Sequence, residues 1–261
     1  MPTFTTPAPI TAAVDIIFGD ITVRATDRTD TVVEVRPVDP NWDLDVKAAA
    51  DVVVDFSYGR LQVKHPKLRS VFSKRYGAVG VLIELPAGSD LQGYTAKGTY
   101  VVDGRVGACE LKTANGDIRV GAVTGDFRAK SATGHITVGT AGAEVHARTA
   151  NGDIRVGVLG TGTADLYTAT GEIAIGVPAG TTADLDARAS IGRIFDNQHT
   201  PGTSTDTATD ADAASDSGAA TATGTDSGPD SGTATGRGAA VARTVTVRAR
   251  THGGNITVSP A

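Results

Sequence analysis

The sequence is poor in the residues that anchor most protein chemistry. It has one cysteine, Cys109, so no intrachain disulfide can form and paired-cysteine zinc sites are excluded. Aromatics make up 5% of the 261 residues, with a single Trp, which leaves small and β-branched side chains to fill a core. Apolar runs are short, and none approaches the roughly 18 residues of a membrane-spanning helix. The opening stretch, MPTFTTPAPI, has neither the basic nor the apolar region of a secretory leader. A cytoplasmic chain is the expectation, with non-classical export left open. Excess positive charge is also missing. The formal net charge is -5, and Asp206, Asp210, Asp212, Asp216, Asp226 and Asp230 against Arg237 account for all of it. A wholly basic surface is excluded, and nucleic acid is not an expected partner. No phosphate-binding glycine loop, nucleophile elbow or metal-ligand spacing occurs. No cofactor, no metal and no enzymatic activity are expected.

What the sequence does have is glycine, 32 residues of it, much of it at a regular interval. Clear units centre on Gly98, Gly116, Gly134, Gly152, Gly171 and Gly192, in steps of 18, 18, 18, 19 and 21 residues. Looser copies centre on Gly19, Gly59 and Gly254. Two positions after the glycine stand Ile21, Leu61, Tyr100, Ile118, Ile136, Ile154, Ile173, Ile194 and Ile256. Four positions after it the column is valine or isoleucine, except for Asp196. Five before it stand Val14, Val54, Leu111, Ala129, Ala147, Leu166, Ala187 and Ala249, with Gly93 the exception. Apolar residues thus alternate on both arms, which is the period of a half-buried strand.

Each unit reads as strand, glycine turn, strand, second turn. An antiparallel meander of hairpins fits this pattern. So does a β-solenoid, in which each strand stacks on its equivalent in the next unit. The second turn favours the solenoid. It holds Val123, Ala141, Leu159 and Pro178 seven positions after the glycine, where a hairpin tip would be polar. The expected fold is all-β, a solenoid of about nine coils with an 18-residue repeat and two strands plus a short third side per coil. At a strand spacing of about 4.8 Å such a stack is roughly 40 Å long.

Four segments interrupt the pattern. Residues 30–37 read as a strand ended by Pro37, and 79–85 as a strand closed by Pro-Ala-Gly. Residues 42–54 begin with helical propensity and end with strand-forming valines. Residues 64–75 cluster Lys64, His65, Lys67, Arg69, Lys74 and Arg75 around Leu68, Val71 and Phe72, and read as a solvated basic insertion. Residues 202–237 hold no large apolar side chain and cannot offset their ordering entropy. We therefore expect one solenoid domain over 1–261, with a disordered low-complexity loop at 198–240 inserted in it.

Two columns could carry chemistry. Directly after the glycine come Asp20, Asp117, His135, Asp153 and Glu172. Stacked, they would form an acidic edge like those of polysaccharide-cleaving β-helices, but Asp after Asn-Gly also suits a tight turn, and the turn is the preferred reading. Calcium-binding β-rolls need a repeat half this length with more Gly-Asp pairs, and His135 and Arg193 interrupt the column. Four positions before the glycine stand Lys112, Lys130, Arg148, Tyr167, Arg188 and Arg250. These would form a basic ladder able to engage a polyanion, partly neutralised by Glu110, Asp165 and Asp186. The candidate binding residues are Lys112, Lys130, Arg148, Arg188 and Arg250. Cys109 falls in a core column.

The repeated Thr-Ala-Asn-Gly-Asp-Ile-Arg-Val-Gly motif resembles the bacterial "putative adhesin" β-strand-repeat family, a domain of unknown function common in actinobacteria. So do the stretches at 29–37 and 83–88 and the closing segment at 245–258. The resemblance implies a β-solenoid without catalytic activity and transfers no functional residues. The function expected is a non-catalytic scaffold that presents flat β faces to a protein or an anionic polymer. The alternatives are a self-assembling structural solenoid similar to bactofilins, and a carbohydrate-active enzyme built on Asp117, His135 and Asp153. Self-association turns on whether the end coils are capped.

Overall fold

A computed structural model describes residues 1–65, 77–197 and 243–261. The basic insertion and the low-complexity loop expected from the sequence lie outside these residues, apart from Lys64 and His65 at the start of the first. From the N-terminus the chain forms strands β1 (Thr3–Thr5), β2 (Thr11–Thr26) and β3 (Asp30–Pro37), helix α1 (Asp43–Asp51), and strands β4 (Val53–Ser57) and β5 (Arg60–Lys64). Then come β6 (Val79–Pro86), β7 (Asp90–Lys97), β8 (Tyr100–Val106), β9 (Cys109–Asn115), β10 (Ile118–Val123), β11 (Phe127–Thr133) and β12 (Ile136–Ala141). The remainder is β13 (Val145–Asn151), β14 (Ile154–Leu159), β15 (Gly162–Thr170), β16 (Ile173–Val177), β17 (Thr181–Ile191), β18 (Ile194–Asp196), β19 (Arg243–Gly253) and β20 (Ile256–Pro260).

Strands before each glycine corner pair in parallel into a leading sheet, and strands after it into a trailing sheet. The leading sheet runs β4–β5–β2–β7–β9–β11–β13–β15–β19–β17. The trailing sheet runs β1–β3–β6–β2–β8–β10–β12–β14–β16–β20–β18. One coil is a leading and a trailing strand, and β2 is long enough to supply both. The described residues make nine coils; eight turn at a repeat glycine, and the ninth combines β5 with β6 in place of the unit expected around Gly59. Registers pair Ile118 with Ile136 and Ile136 with Ile154, so the columns read from the sequence become stacks in space. Those isoleucines are fully buried between the sheets, and Val123, Ala141 and Leu159 in the second corner close the core's third side.

The order of coils departs from chain order at both ends. Coil β2 sits between β5/β6 and β7/β8. Coil β19/β20 sits between β15/β16 and β17/β18. Gly59 differs from the other centres. With Tyr58 it turns an antiparallel hairpin between β4 and β5, at φ +73°, because its two flanking strands pair with each other. Residues 42–54 divide as their composition predicts, into helix α1 and strand β4.

The two ends of the stack are built differently. At the β5/β6 end, β4, β3 and β1 add antiparallel to the parallel sheets. Phe4 on β1 and Phe56 on β4 stack with centroids 5.1 Å apart, closing one sheet edge onto the other. Helix α1 packs alongside, and its buried Asp45 accepts the backbone N–H groups of Asp39 and Ala78 at 2.9 and 2.8 Å. At the other end, among the described residues, β17 pairs only with β19 and β18 only with β20.

Candidate functional site

The repeat motif decodes into a corner. Its central glycine has positive φ, +143° to +147° through Gly116, Gly134, Gly152 and Gly171. Coils also approach so closely here that a Cβ on Gly134 would lie 2.1 Å from the Gly116 carbonyl oxygen. The residue after the glycine ties one coil to the next. Asp20 Oδ1 accepts the Thr99 N–H at 2.8 Å, Asp117 Oδ1 the His135 N–H at 2.9 Å, His135 Nδ1 the Asp153 N–H at 3.0 Å, and Asp153 Oδ1 the Glu172 N–H at 2.9 Å. The second oxygens of Asp117 and Asp153 accept from Arg119 and Arg155 at 2.7 and 3.0 Å. The edge that could have been a paired-carboxylate site is thus a backbone-capping ladder.

A second ladder, which the sequence reading missed, lines the inner side of this corner. Hydroxyls of Thr113, Ser131, Thr149, Thr168 and Thr251 donate to glycine carbonyls of the preceding coil at 2.9 to 3.4 Å. The signal was present, since Thr or Ser stands three positions before the glycine in each of these units. Buried carbonyls need such donors.

The predicted basic column is brought together on the outer face of the leading sheet. In spatial order it runs Tyr94, Lys112, Lys130, Arg148, Tyr167, Arg250, Arg188. Tyr167 therefore separates Lys112, Lys130 and Arg148 from Arg250 and Arg188. Tyr94 belongs to the same column and went unread. It is 51% exposed and Tyr167 43%. Arg119 and Arg155 lie on the other sheet, beside their aspartates.

The two groups of cations differ in their counter-charges. Arg188 and Arg250 share Asp186 at 3.1 and 3.8 Å. Lys112 pairs with Glu110 at 2.7 Å, and this ammonium holds the Glu110 carboxyl below the usual range. Arg148 pairs with Asp165 at 3.0 Å. Among the described residues Lys130 has no carboxylate partner, and its neighbour Arg128 reaches Asp126 and Glu144 only at 3.9 and 4.0 Å. Glu110, Leu111, Lys112, Arg128, Lys130, His146 and Arg148 line a shallow groove of about 270 Å³. A second groove, about 440 Å³, lies where Tyr94, Gln62, Gln92 and Lys64 surround Gly93. Among the described residues no group of three or more metal-ligating side chains converges, and no helix is long and apolar enough to cross a membrane.

No family model matches the chain, and no curated protein matches it. Two solved structures are similar along nearly its full length. One is a "putative cell adhesion protein" from Clostridium sporogenes, 9% identical, covering 100% of this chain and 98% of its own, with a TM-score of 0.36. The other is a "putative adhesin" from Bacteroides fragilis, 11% identical, covering 98% and 95%, with a TM-score of 0.37.

Proposed function

We propose that the chain is a non-catalytic scaffold whose leading sheet binds an extended anionic polysaccharide. We place it with the bacterial "putative adhesin" β-strand repeats common in actinobacteria, as one solenoid domain over 1–261 with a loop inserted at 198–240. The observation that carries the reading is the unbroken column Tyr94, Lys112, Lys130, Arg148, Tyr167. Four steps at about 4.8 Å give a track roughly 19 Å long. Its three cations sit one coil apart, and an exposed tyrosine at each end offers a flat face to a sugar ring. Arg188 and Arg250, paired with Asp186, extend the ladder with less free charge.

A scaffold is favoured over an enzyme by the corner ladder. Asp117 and Asp153 have both carboxylate oxygens engaged, and His135 Nδ1 accepts a backbone N–H. Outside residues 202–237 the formal charges balance to zero, so the local column of cations, and not a wholly basic surface of the nucleic-acid-binding kind, would hold the polymer. The proposal holds for a polymer on either side of a membrane, and fractionating cells that make the full chain tests the cytoplasmic expectation.

The binding test compares wild type with a Lys112→Glu/Lys130→Glu/Arg148→Glu variant on immobilised polyuronate, polyphosphate and single-stranded DNA. The expected result is polyuronate binding that weakens with added salt and falls at least about tenfold in the variant, as the loss of several phosphate-like contacts would produce. Equal binding of all three polymers by variant and wild type would sink the proposal.

A further inference from the structure

The end of the stack at β17/β18 has the sequence of an interior coil without an interior coil's surroundings. Ile256 in the neighbouring coil is fully buried, whereas Ile194, its register partner, is 45% exposed. Ile191 and Phe195 beside it are 70% and 42% exposed. Val247 is fully buried, and Leu185, paired to it, is only partly so. Strand β17 is 11 residues long. Natural sheet edges are usually protected by shortness, charge, proline or a covering element. Here β18 is short and places Asp196 at an inward position, but the longer β17 has no covering strand among the described residues; the opposite end is closed by β1, β4 and the Phe4–Phe56 stack.

We propose that this chain binds a second copy of itself through the outer edges of β17 and β18, open end to open end, and that assembly stops at two. The inference is independent of the polysaccharide reading. A two-fold axis perpendicular to the sheets sets β17 antiparallel to its mate and β18 antiparallel to its own mate, so both sheets continue across the junction. Such a contact is isologous, and isologous contacts close. A filament needs a second adhesive end, which β1, β4 and the aromatic stack deny.

Charge favours a second copy. The outward face of β17 carries Asp186 followed two residues later by Arg188. When Ala187 faces Ala187 of the mate, antiparallel pairing sets each Arg188 opposite an Asp186. The same register sets Leu185 opposite Ala189 on the inner face. At about 3.3 Å per residue β17 spans about 36 Å and β18 about 10 Å, so the leading sheet supplies most of the contact. Residues 199–241 contain no Leu, Ile, Met, Phe, Tyr or Trp, so that segment has few apolar side chains with which to cover this end in place of a mate.

Sedimentation equilibrium of the full chain over a range of micromolar concentrations tests the proposal. The expected mass rises with concentration from 26.5 kDa to twice that and no further. A Leu185→Lys/Ile194→Lys variant should stay monomeric with an unchanged circular dichroism spectrum, since both positions already meet solvent in one copy. An Ala187→Cys variant should form a disulfide-linked dimer on mild oxidation, Cys109 being buried. A wild-type chain that is monomeric throughout, as it would be if residues 198–242 covered the edge, overturns the proposal. So do species larger than two copies, or a dimer that survives the lysine pair while Ala187→Cys fails to cross-link.

Discussion

Gly93 and Tyr100 share one space. A Cβ on Gly93 would lie 2.8 Å from Cε1 and Cζ of the Tyr100 ring and 2.7 Å from Leu111 Cδ2. Each is the odd member of its column. Gly93 stands on the leading sheet where other coils have Val, Leu or Ala, and Tyr100 on the trailing sheet where they have Ile or Val. The ring crosses the core into the volume the missing side chain leaves.

Exchange within this pair should therefore be non-additive. Gly93→Val alone overfills the slot and should cost about 1–3 kcal/mol. Tyr100→Ile alone leaves a cavity and should cost about 2–4 kcal/mol. The double variant should recover most of both losses, measured by urea denaturation. Simple addition of the two costs would refute the shared slot. Among the described residues the buried Tyr100 hydroxyl has no hydrogen-bond partner, and burial pushes its ionisation up. Tyr100→Phe should consequently be neutral, or stabilising by up to about 1 kcal/mol.

The corner ladder makes a graded prediction. Asp153→Ala removes the acceptor of the Glu172 N–H and should cost about 1 kcal/mol, as loss of a helix N-cap does. His135→Asn keeps an acceptor in place and should cost less. Gly134→Ala meets a backbone oxygen at 2.1 Å and should cost more than either. Equal denaturation midpoints for the three variants would remove the ladder from the account.

Acid should weaken the capped end. Arg28 donates to Asp30 at 2.8 Å and to Glu84 at 2.5 Å, joining the start of β3 to β6. Its guanidinium holds both carboxyls below their usual range. Carboxylates depressed in the folded state stabilise it above their unfolded pKa values, about 3.9 for Asp and 4.3 for Glu. That contribution is lost as pH falls through the lower folded values. The stability gap between wild type and Arg28→Ala should be constant near pH 7 and shrink below about pH 4. A gap unchanged down to about pH 2.5 would show that the pairs contribute nothing pH-dependent.

Cys109 reports on the core. Burial pushes its thiol up to about 12, so at pH 8 only about one molecule in ten thousand carries a thiolate. Labelling by a disulfide reagent should follow global unfolding and accelerate in urea. Rapid labelling of the native chain would contradict the burial of this coil.

Much of the fold was legible because a parallel stack repeats its environment, so each column keeps one kind of residue. Ile154 and Val156 recur as Ile136 and Val138 for the same packing reason. Coil order at the ends was harder to read. The units around Gly192 and Gly254 carry similar columns, and neither pattern states which follows Gly171 in space. One mark did point to the answer. Asp196 breaks the valine column, and its coil proves to be the outermost, where the inward position is exposed. Of the candidate site, the cations of the ladder were visible as a column, but their sequence in space was not. Arg250 lies next to Tyr167, with Arg188 outside it, because β19 is inserted beside β15.

The inserted coil also imposes an order on biosynthesis. Strand β17 leaves the ribosome before β19, yet among the described residues it rests on the sheet only through β19. Until Arg243 and the residues after it have been made, β17 and β18 have no seat, and β15 and β16 wait with their far edges open. The same holds at the other end, where β2 lies between β5/β6 and β7/β8 and is made before either. A chain stopped before β19 would lack the wedge that joins its last coil to the rest, so attachment of that coil records that synthesis passed Arg243.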